Sequence, residues 1–241
     1  MNISIDAAGK DFKTLGELVR SADGDVEIKN CLGQRYLGAG ARGKKITIQG
    51  VAGNALGAYL DGAEITVFGN AQEAVGDTMN RGLICIHGSS GDATGYAMRG
   101  GEIYVQGDAG YRAGIHMKAY GDQVPVLVIG GSAGSFLGEY QAGGVIVVLG
   151  IGCERRYPFN YFCGAGMHGG KIFVRCREVP SGLPEQVAVR PAAEADLEEI
   201  CPYVRRYCEL FGADEAELMA HPFYVLSPNT QNPYKQLYTS H

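Results

Sequence analysis

The chain has 241 residues of which 46% are hydrophobic, enough to bury a sizeable core in one main domain with an appendage. A formal net charge of −5 with no basic run speaks against nucleic acid or an anionic membrane as partner, and there is no apolar run of about 18 residues that would span a bilayer. The start, MNISIDAAGKDF, has charges where a signal peptide would be apolar, and the 7 cysteines are odd in number and unevenly spaced, so a reducing cytoplasmic location is expected rather than a disulfide framework.

Residues 1–25 read as an N-terminal cap. ISI at residues 3–5 suits a short strand, and DFKTLGELVRS at 11–21 puts Phe12, Leu15, Leu18 and Val19 on one helical face. A cap is needed because the next segment, residues 26–176, is a repeat whose open end would expose strand edges and apolar core. The repeat interval is 19 residues: Gly50, Gly69, Gly88 and Gly107 fall on it, as do Gly38, Gly57, Gly76, Gly95 and Gly114. Apolar columns keep the same interval. Ile46, Ile65, Ile84 and Ile103 form one, Ile48, Val67, Ile86 and Val105 a second, and Ala41, Leu60, Met79, Met98 and Met117 a third.

ITI, ITV, ICI and IYV alternate with the period of a strand that buries one face. A 19-residue unit is too short for strand, crossover helix and return strand, so one turn of a stacked coil per unit is the economical solution. The fold expected is all-β: a right-handed parallel β-helix of about seven 19-residue coils, with an N-terminal helical cap and a C-terminal helical tail. Gly38, Gly57, Gly76, Gly95 and Gly114 are its corner residues, where positive φ or lack of room excludes a Cβ. Gly is unusually abundant at 37 residues, but the period assigns it to corners rather than to disorder.

Two insertions break the interval. One adds five residues around AYGDQVP (119–125), and the other adds seven within IGCERRYPFNYF (151–162). Solenoid insertions occupy corner loops, where partner contacts concentrate. The second carries Arg155, Arg156, Tyr157 and Phe159, along with Tyr161 and Phe162, and reads as a docking surface; the competing reading folds its aromatics over the last coil. Residues 177–241 are linker and tail. Residues 180–191 are linker by composition, and 192–211 a helix with Leu197, Ile200, Cys201, Val204, Cys208 and Phe211 on its apolar stripe. Gly212 ends that helix, a short helix at 214–220 and the strand-like FYVLSP follow, and the stripe packs on the solenoid or a partner.

Chemically reactive groups are sparse. No glycine-rich phosphate loop opens a helix after a strand, and no Ser, His and acid arrangement is visible. Cys153, Cys163, His168 and Cys176 lack a paired CxxC knuckle, so small buried hydrophobes are the preferred reading over a zinc site. Cys201 and Cys208 lie on the apolar face of the tail helix. The most loaded run is GYRAGIHMK (110–118), where alternation puts His116 and Lys118 outward beside Arg112 and points Met117 inward, with Arg35 and Arg99 adding charge to that side. These are read as a partner interface or as plain solvated charges.

GQRYLGAG, GNALGAYLDG, GNAQEAVGDTMNRG, GDATGYAMRGGEIYVQG, GYRAGIHMK, FLGEYQAGG and CGAGMHGG together resemble the GXGXG domain at the C-terminal end of the glutamate synthase large subunit, in its free-standing form. The resemblance covers residues 3–176 and extends to non-glycine residues. It implies a right-handed β-helix with no catalytic residue, cofactor site or metal of its own. Its expected partners are an FMN-binding synthase protein and a glutaminase-type amidotransferase, with FMN and an iron–sulfur cluster carried by those partners. The assembly would transfer glutamine amide nitrogen reductively to 2-oxoglutarate. Alternatives of the same scaffold class are an N-methylglutamate synthase and a complex of the formylmethanofuran dehydrogenase kind, in which a related glycine repeat also serves as a scaffold. From other classes come a stand-alone β-helix enzyme using Arg112, His116 and Lys118, and a purely structural homo-oligomer.

Overall fold

The computed structural model describes residues 2–229; positions 230–241 of the expected tail lie outside the described residues. Nine strands run parallel and neighbour one another in chain order. They are β1 (Asn2–Asp6), β2 (Asp25–Leu32), β3 (Lys45–Val51), β4 (Asp61–Phe68), β5 (Arg81–Ile86), β6 (Glu102–Val105), β7 (Val126–Ile129), β8 (Ala142–Val148) and β9 (Gly169–Arg175). The result is a β-solenoid of about eight turns, one more than the glycine count implies. The additional turn is the capping segment itself. β1 pairs in register with β2, and α1 (Phe12–Ser21) takes the place that glycine turns occupy elsewhere.

That helix is started by Asp11, whose carboxylate accepts from the backbone of Lys13 and Thr14. Its last turn is closed by Lys44, whose ammonium donates to the carbonyls of Val19 and Ala22 at 3.0 and 2.8 Å. Leu15 and Val19 plug the open coil, whereas Leu18 is exposed, contrary to the helical face expected for it. Leu15 and Val19 are four apart and share a stripe, while Leu18 stands one residue, about 100°, to the side of Val19.

Strand register aligns the inner side chains into ladders. Ile46, Ile65, Ile84, Ile103, Leu127, Ile146 and Ile172 are consecutive partners and fully or almost fully buried. A second wall is thin: Ala52, Ala71, Ser90, Ala109 and Ala133 bridge one another in parallel. Along its corner, Asn70, Ser89 and Asp108 each accept from a backbone N–H one coil on, at Ser89, Asp108 and Ser132 respectively.

The third wall holds the glycines, and its conformation is unusual. In each coil three alternate residues are left-handed. Examples are Ala74, Gly76 and Thr78 at φ +58, +66 and +53°, and Arg112, Gly114 and His116 at +59, +70 and +56°. Gly38, Gly57 and Gly95, at φ +67, +63 and +75°, hold the same central place. The flanking left-handed residues donate forward, as in Ala74 N–H to Asp92 and Thr78 N–H to Tyr96, while the central glycine donates backward, as in Gly76 N–H to Leu56. Each turn is therefore hydrogen-bonded on both sides despite its local strain. The central glycine faces inward with no room to spare: a Cβ on Gly38, Gly57, Gly76 or Gly114 would lie 2.4–2.7 Å from the δ-methyl of an isoleucine of the inner ladder.

Beyond β9 the chain reverses. β11 (Phe223–Pro228) pairs antiparallel with β9, and β10 (Val187–Pro191) antiparallel with β11. The segment expected to be a linker thus supplies an edge strand, in keeping with the Pro191 it carries, since a proline lacks a ladder donor. Helix α2 (Glu194–Phe211) packs across the outer face of the sheet, and α3 (Glu215–Met219) beside it. The outer column reads Thr47, Thr66, Cys85, Tyr104, Val128, Val147, Phe173, turning apolar where α2 covers it. Hence β7 and β8 are continuous apolar runs, buried on both faces.

On α2, Ile200, Val204, Tyr207 and Cys208 are buried, whereas Cys201 is only half-buried. Tyr207, absent from the expected stripe, donates to the Gln106 carbonyl at 3.0 Å, and Gly130 gives it room: a Cβ there would lie 2.0 Å from the hydroxyl. Pro202 sits on the exposed side of the helix, so the carbonyl it leaves unpaired can meet water.

Candidate functional site

The left-handed wall presents its flanking residues to solvent, and in the C-terminal coils these are aromatic or charged. Left-handed geometry at Arg112, Gly114 and His116, rather than an extended strand, is what alternates the side chains: His116 and Lys118 are exposed and Met117 fully buried. His116 is sandwiched, edge-on to Tyr96 at 5.9 Å and stacked on Tyr140 at 5.2 Å with planes 10° apart. The Tyr140 ring lies over Gly166, where a Cβ would come within 2.5 Å of it.

A second ladder runs beside the first. Tyr111 meets Phe136 at 5.2 Å, Phe136 meets Phe162 at 4.9 Å, and Phe162 meets Tyr161 at 6.5 Å. The Arg112 guanidinium lies 4.7 Å from the Tyr111 ring centre and 5.4 Å from that of Phe136. Its Nε donates to Glu139 at 2.7 Å, and Glu139 is almost buried. That hydrogen bond, chiefly, raises the guanidinium pKa further. Backbone hydrogen bonds fix the spacing of these rings from coil to coil: Tyr96 accepts from Thr78, Phe136 donates to Tyr161 and Tyr140 donates to Ala165. Tyr161 and Phe162 are 77% and 56% exposed and extend it to the end of the solenoid.

The two runs singled out from the sequence therefore meet in part. Arg112 and His116 join Tyr161 and Phe162 in one face, and Lys118 is exposed without an ion pair or side-chain hydrogen bond among the described residues. Arg99 is one coil before Lys118, but Arg35 lies four coils before the Tyr111 position and stacks over Phe12 at 5.0 Å, so it adds nothing to this face. The earlier part of the second insertion goes elsewhere. Phe159 is 7% exposed and belongs to the solenoid core, with Tyr157 stacked on it at 5.5 Å. Arg156 pairs with Glu178, and Arg155 with Asn160. Phe159 directly follows Pro158, whose carbonyl accepts from Ala133 in the thin wall, and this ties it to the interior.

Cys153, Cys163, His168 and Cys176 are not brought together. Cys163 is in the core, where burial pushes its thiol pKa far up, and His168 Nδ1 lies 3.2 Å from the Gly166 carbonyl. Cys153 and Cys176 both border a cleft at the end of β9. Among the described residues no group of three or more His, Cys, Asp or Glu could hold a metal ion, and no helix is long and apolar enough to cross a membrane. Glu139, Tyr96, Tyr111 and Tyr140 were not singled out from the sequence; the signal that would have found the tyrosines is their place one residue from, or on, the flanking columns at Arg112 and His116.

Comparison with known proteins fits this geometry. The family described as "GXGXG motif" matches residues 20–230. An uncharacterized protein of Methanocaldococcus jannaschii is 41% identical over 251 aligned residues, covering 98% of this chain and 96% of the relative. Glycines alternate with other residues in the third wall at Gly38 and Gly40 and at Gly164 and Gly166, all four left-handed, a conformation glycine adopts readily. The chain belongs to the GXGXG motif family, to which the C-terminal domain of glutamate synthase also belongs.

Proposed function

We propose that this protein is a non-catalytic scaffold subunit of a glutamate synthase-type complex, holding an FMN-binding synthase subunit and a glutaminase-type subunit in fixed relation. Amide transfer from glutamine to 2-oxoglutarate would proceed on those partners, which would carry FMN and an iron–sulfur cluster. Family membership supports the assignment, and the observation that carries it is the aromatic face built on the left-handed wall. Rigid aromatic and arginine surfaces are favoured at interface centres, because little side-chain freedom is lost on association. Which amine the complex handles would follow from its partners, so an N-methylglutamate synthase uses the same scaffold logic.

A stand-alone enzyme on Arg112, His116 and Lys118 reads less well. The carboxylate next to that group, Glu139, is committed to Arg112, and the His116 ring is packed between two tyrosines. The test is affinity purification of the tagged chain from its native host. A flavoprotein with the FMN absorption spectrum and a subunit with glutaminase activity should co-elute. The combined variant His116→Ala/Tyr161→Ala should lose both while retaining the circular dichroism of the parent. A lone polypeptide eluting from the parent preparation would overturn the scaffold assignment, and unaltered recovery of both partners by the variant would overturn the assigned face.

A further inference from the structure

A cleft of about 430 Å³ lies between the second insertion, the end of β9 and the turn before β11, and four arginines line it: Arg155, Arg156, Arg175 and Arg177. Two glutamates, Glu154 and Glu178, share the lining, so the cleft keeps a positive surplus on a chain whose net charge is −5. The arginines differ in what engages them. Arg156 is spent on Glu178, both its Nε and a terminal nitrogen lying 2.7 Å from one carboxylate oxygen. Arg175 is half-buried, with a single hydrogen bond, from Nε to the Leu149 carbonyl at 2.6 Å, which leaves its terminal nitrogens open. Arg177, two residues on, makes no side-chain hydrogen bond or ion pair among the described residues. A guanidinium drawn partly out of water is unfavourable, and burial lowers the pKa of Arg175 against the opposing field of Glu217, a carboxylate that neither hydrogen-bonds nor ion-pairs with it.

We propose that this cleft binds a small phosphate-bearing ligand, with Arg175 and Arg177 supplying the two charges that a phosphate dianion matches. Guanidinium forks pair with phosphate oxygens in planar, two-point fashion, and the volume admits a phosphate with a modest organic substituent. The site is suited to holding the ligand rather than attacking it. Of the two thiols at its border, Cys176 donates to the Glu178 carbonyl at 3.2 Å, and burial raises its pKa to about 11, so it stays protonated. The assignment is independent of the scaffold role, since the cleft shares no residue with the aromatic face.

The test is titration of the full chain with inorganic phosphate, followed by calorimetry and by 31P line broadening, at ionic strength held constant with sodium chloride. Succinate, a dianion of different shape, serves as the competing probe. Saturable phosphate binding is expected in the wild-type chain, weakened at least tenfold in Arg177→Gln and unchanged in Arg205→Gln, whose side chain is paired with Glu215 on the helices. Arg177 is exposed, so its replacement should not disturb folding, whereas Arg175→Gln needs a parallel unfolding measurement. Absence of saturable phosphate binding, equal affinity for succinate, or wild-type affinity in Arg177→Gln would each overturn the proposal.

Discussion

The tight fit of glycine against the inner ladder makes a quantitative prediction at Gly76. Its φ of +66° charges any side chain a conformational penalty of about 1–2 kcal/mol. A Cβ at this position would also stand 2.4 Å from Ile103 Cδ1, but 3.4 Å from Ile103 Cγ1 and 3.5 Å from Ile84 Cδ1, so one methyl group is responsible for the severe overlap. Overpacking of this kind costs about 1–3 kcal/mol. Gly76→Ala should therefore lower stability by about 2–5 kcal/mol. Ile103→Val, which removes the offending methyl and leaves a small void, should cost about 1 kcal/mol alone. In the double variant the alanine methyl occupies that void, so the two losses should fall short of additivity by about 1–3 kcal/mol. Gly40→Ala is the control: φ is +65° but nothing stands within 4 Å of the added Cβ, leaving only the conformational penalty. Urea unfolding followed by circular dichroism, compared at constant denaturant dependence, reads all four variants. Strict additivity of Gly76→Ala and Ile103→Val, or a Gly40→Ala loss as large as that of Gly76→Ala, would refute the steric account.

Three further expectations concern the C-terminal layer. Asp196, 5% exposed, accepts from Arg190 and from the backbone of Ala193 and lies 3.7 Å from Lys171, and these contacts, the Arg190 bond foremost, hold its carboxyl down to about 2. Its contribution is present above the ordinary carboxylate value of about 3.8 and lost as pH falls through about 2; it amounts to at most about 2 kcal/mol because Arg190 is half exposed. Asp196→Asn should flatten the stability profile between those values in acid denaturation, and unchanged slopes would contradict this. His87 stacks on Phe68 at 4.6 Å and meets Phe211 edge-on at 5.1 Å, and burial lowers its pKa. The stability gained from a neutral ring is complete above about 6.5 and declines as pH falls below it, so His87→Leu should remove a component of pH dependence measured between about 7 and 5. Tyr207→Phe should loosen α2 by removing the hydroxyl that donates to the Gln106 carbonyl, reporting as faster amide exchange in the helix while the inner ladder stays protected; uniform protection would speak against it.

Much of this architecture is legible in the sequence, because a coil stacked on itself repeats its physical demands at a fixed interval. Ile46, Ile65, Ile84 and Ile103 meet the same core at the same height, and so keep the same character. The features that are not legible have causes outside the repeat. The outer column shifts from Thr47 and Thr66 to Tyr104, Val128 and Phe173 because a distant helix lands there, and only the loss of alternation in VLVI and VIVV betrays it. β10 reads as linker because its proline and short length obscure an edge strand that forms only once β11 is beside it. Phe159 and Phe162 are three residues apart in one aromatic run, yet one is core and the other surface, since each serves a different wall of the last coil. The left-handed wall is signalled by its glycines but not by Tyr36, Ala74 or Phe136, residues with no intrinsic preference for that conformation.

The reversal of chain direction after β9 also has an outcome for assembly. A parallel solenoid offers at its last coil the same hydrogen-bonding template that each coil offered the next, and another molecule could extend it indefinitely. Antiparallel pairing of β11 replaces evenly slanted bonds with alternating close and wide pairs, so the rim no longer matches the rim of an incoming solenoid. β10 then closes that border with Arg190 and Pro191, a charge and a residue without an N–H. At this end the strand ladder is terminated against extension by a second solenoid.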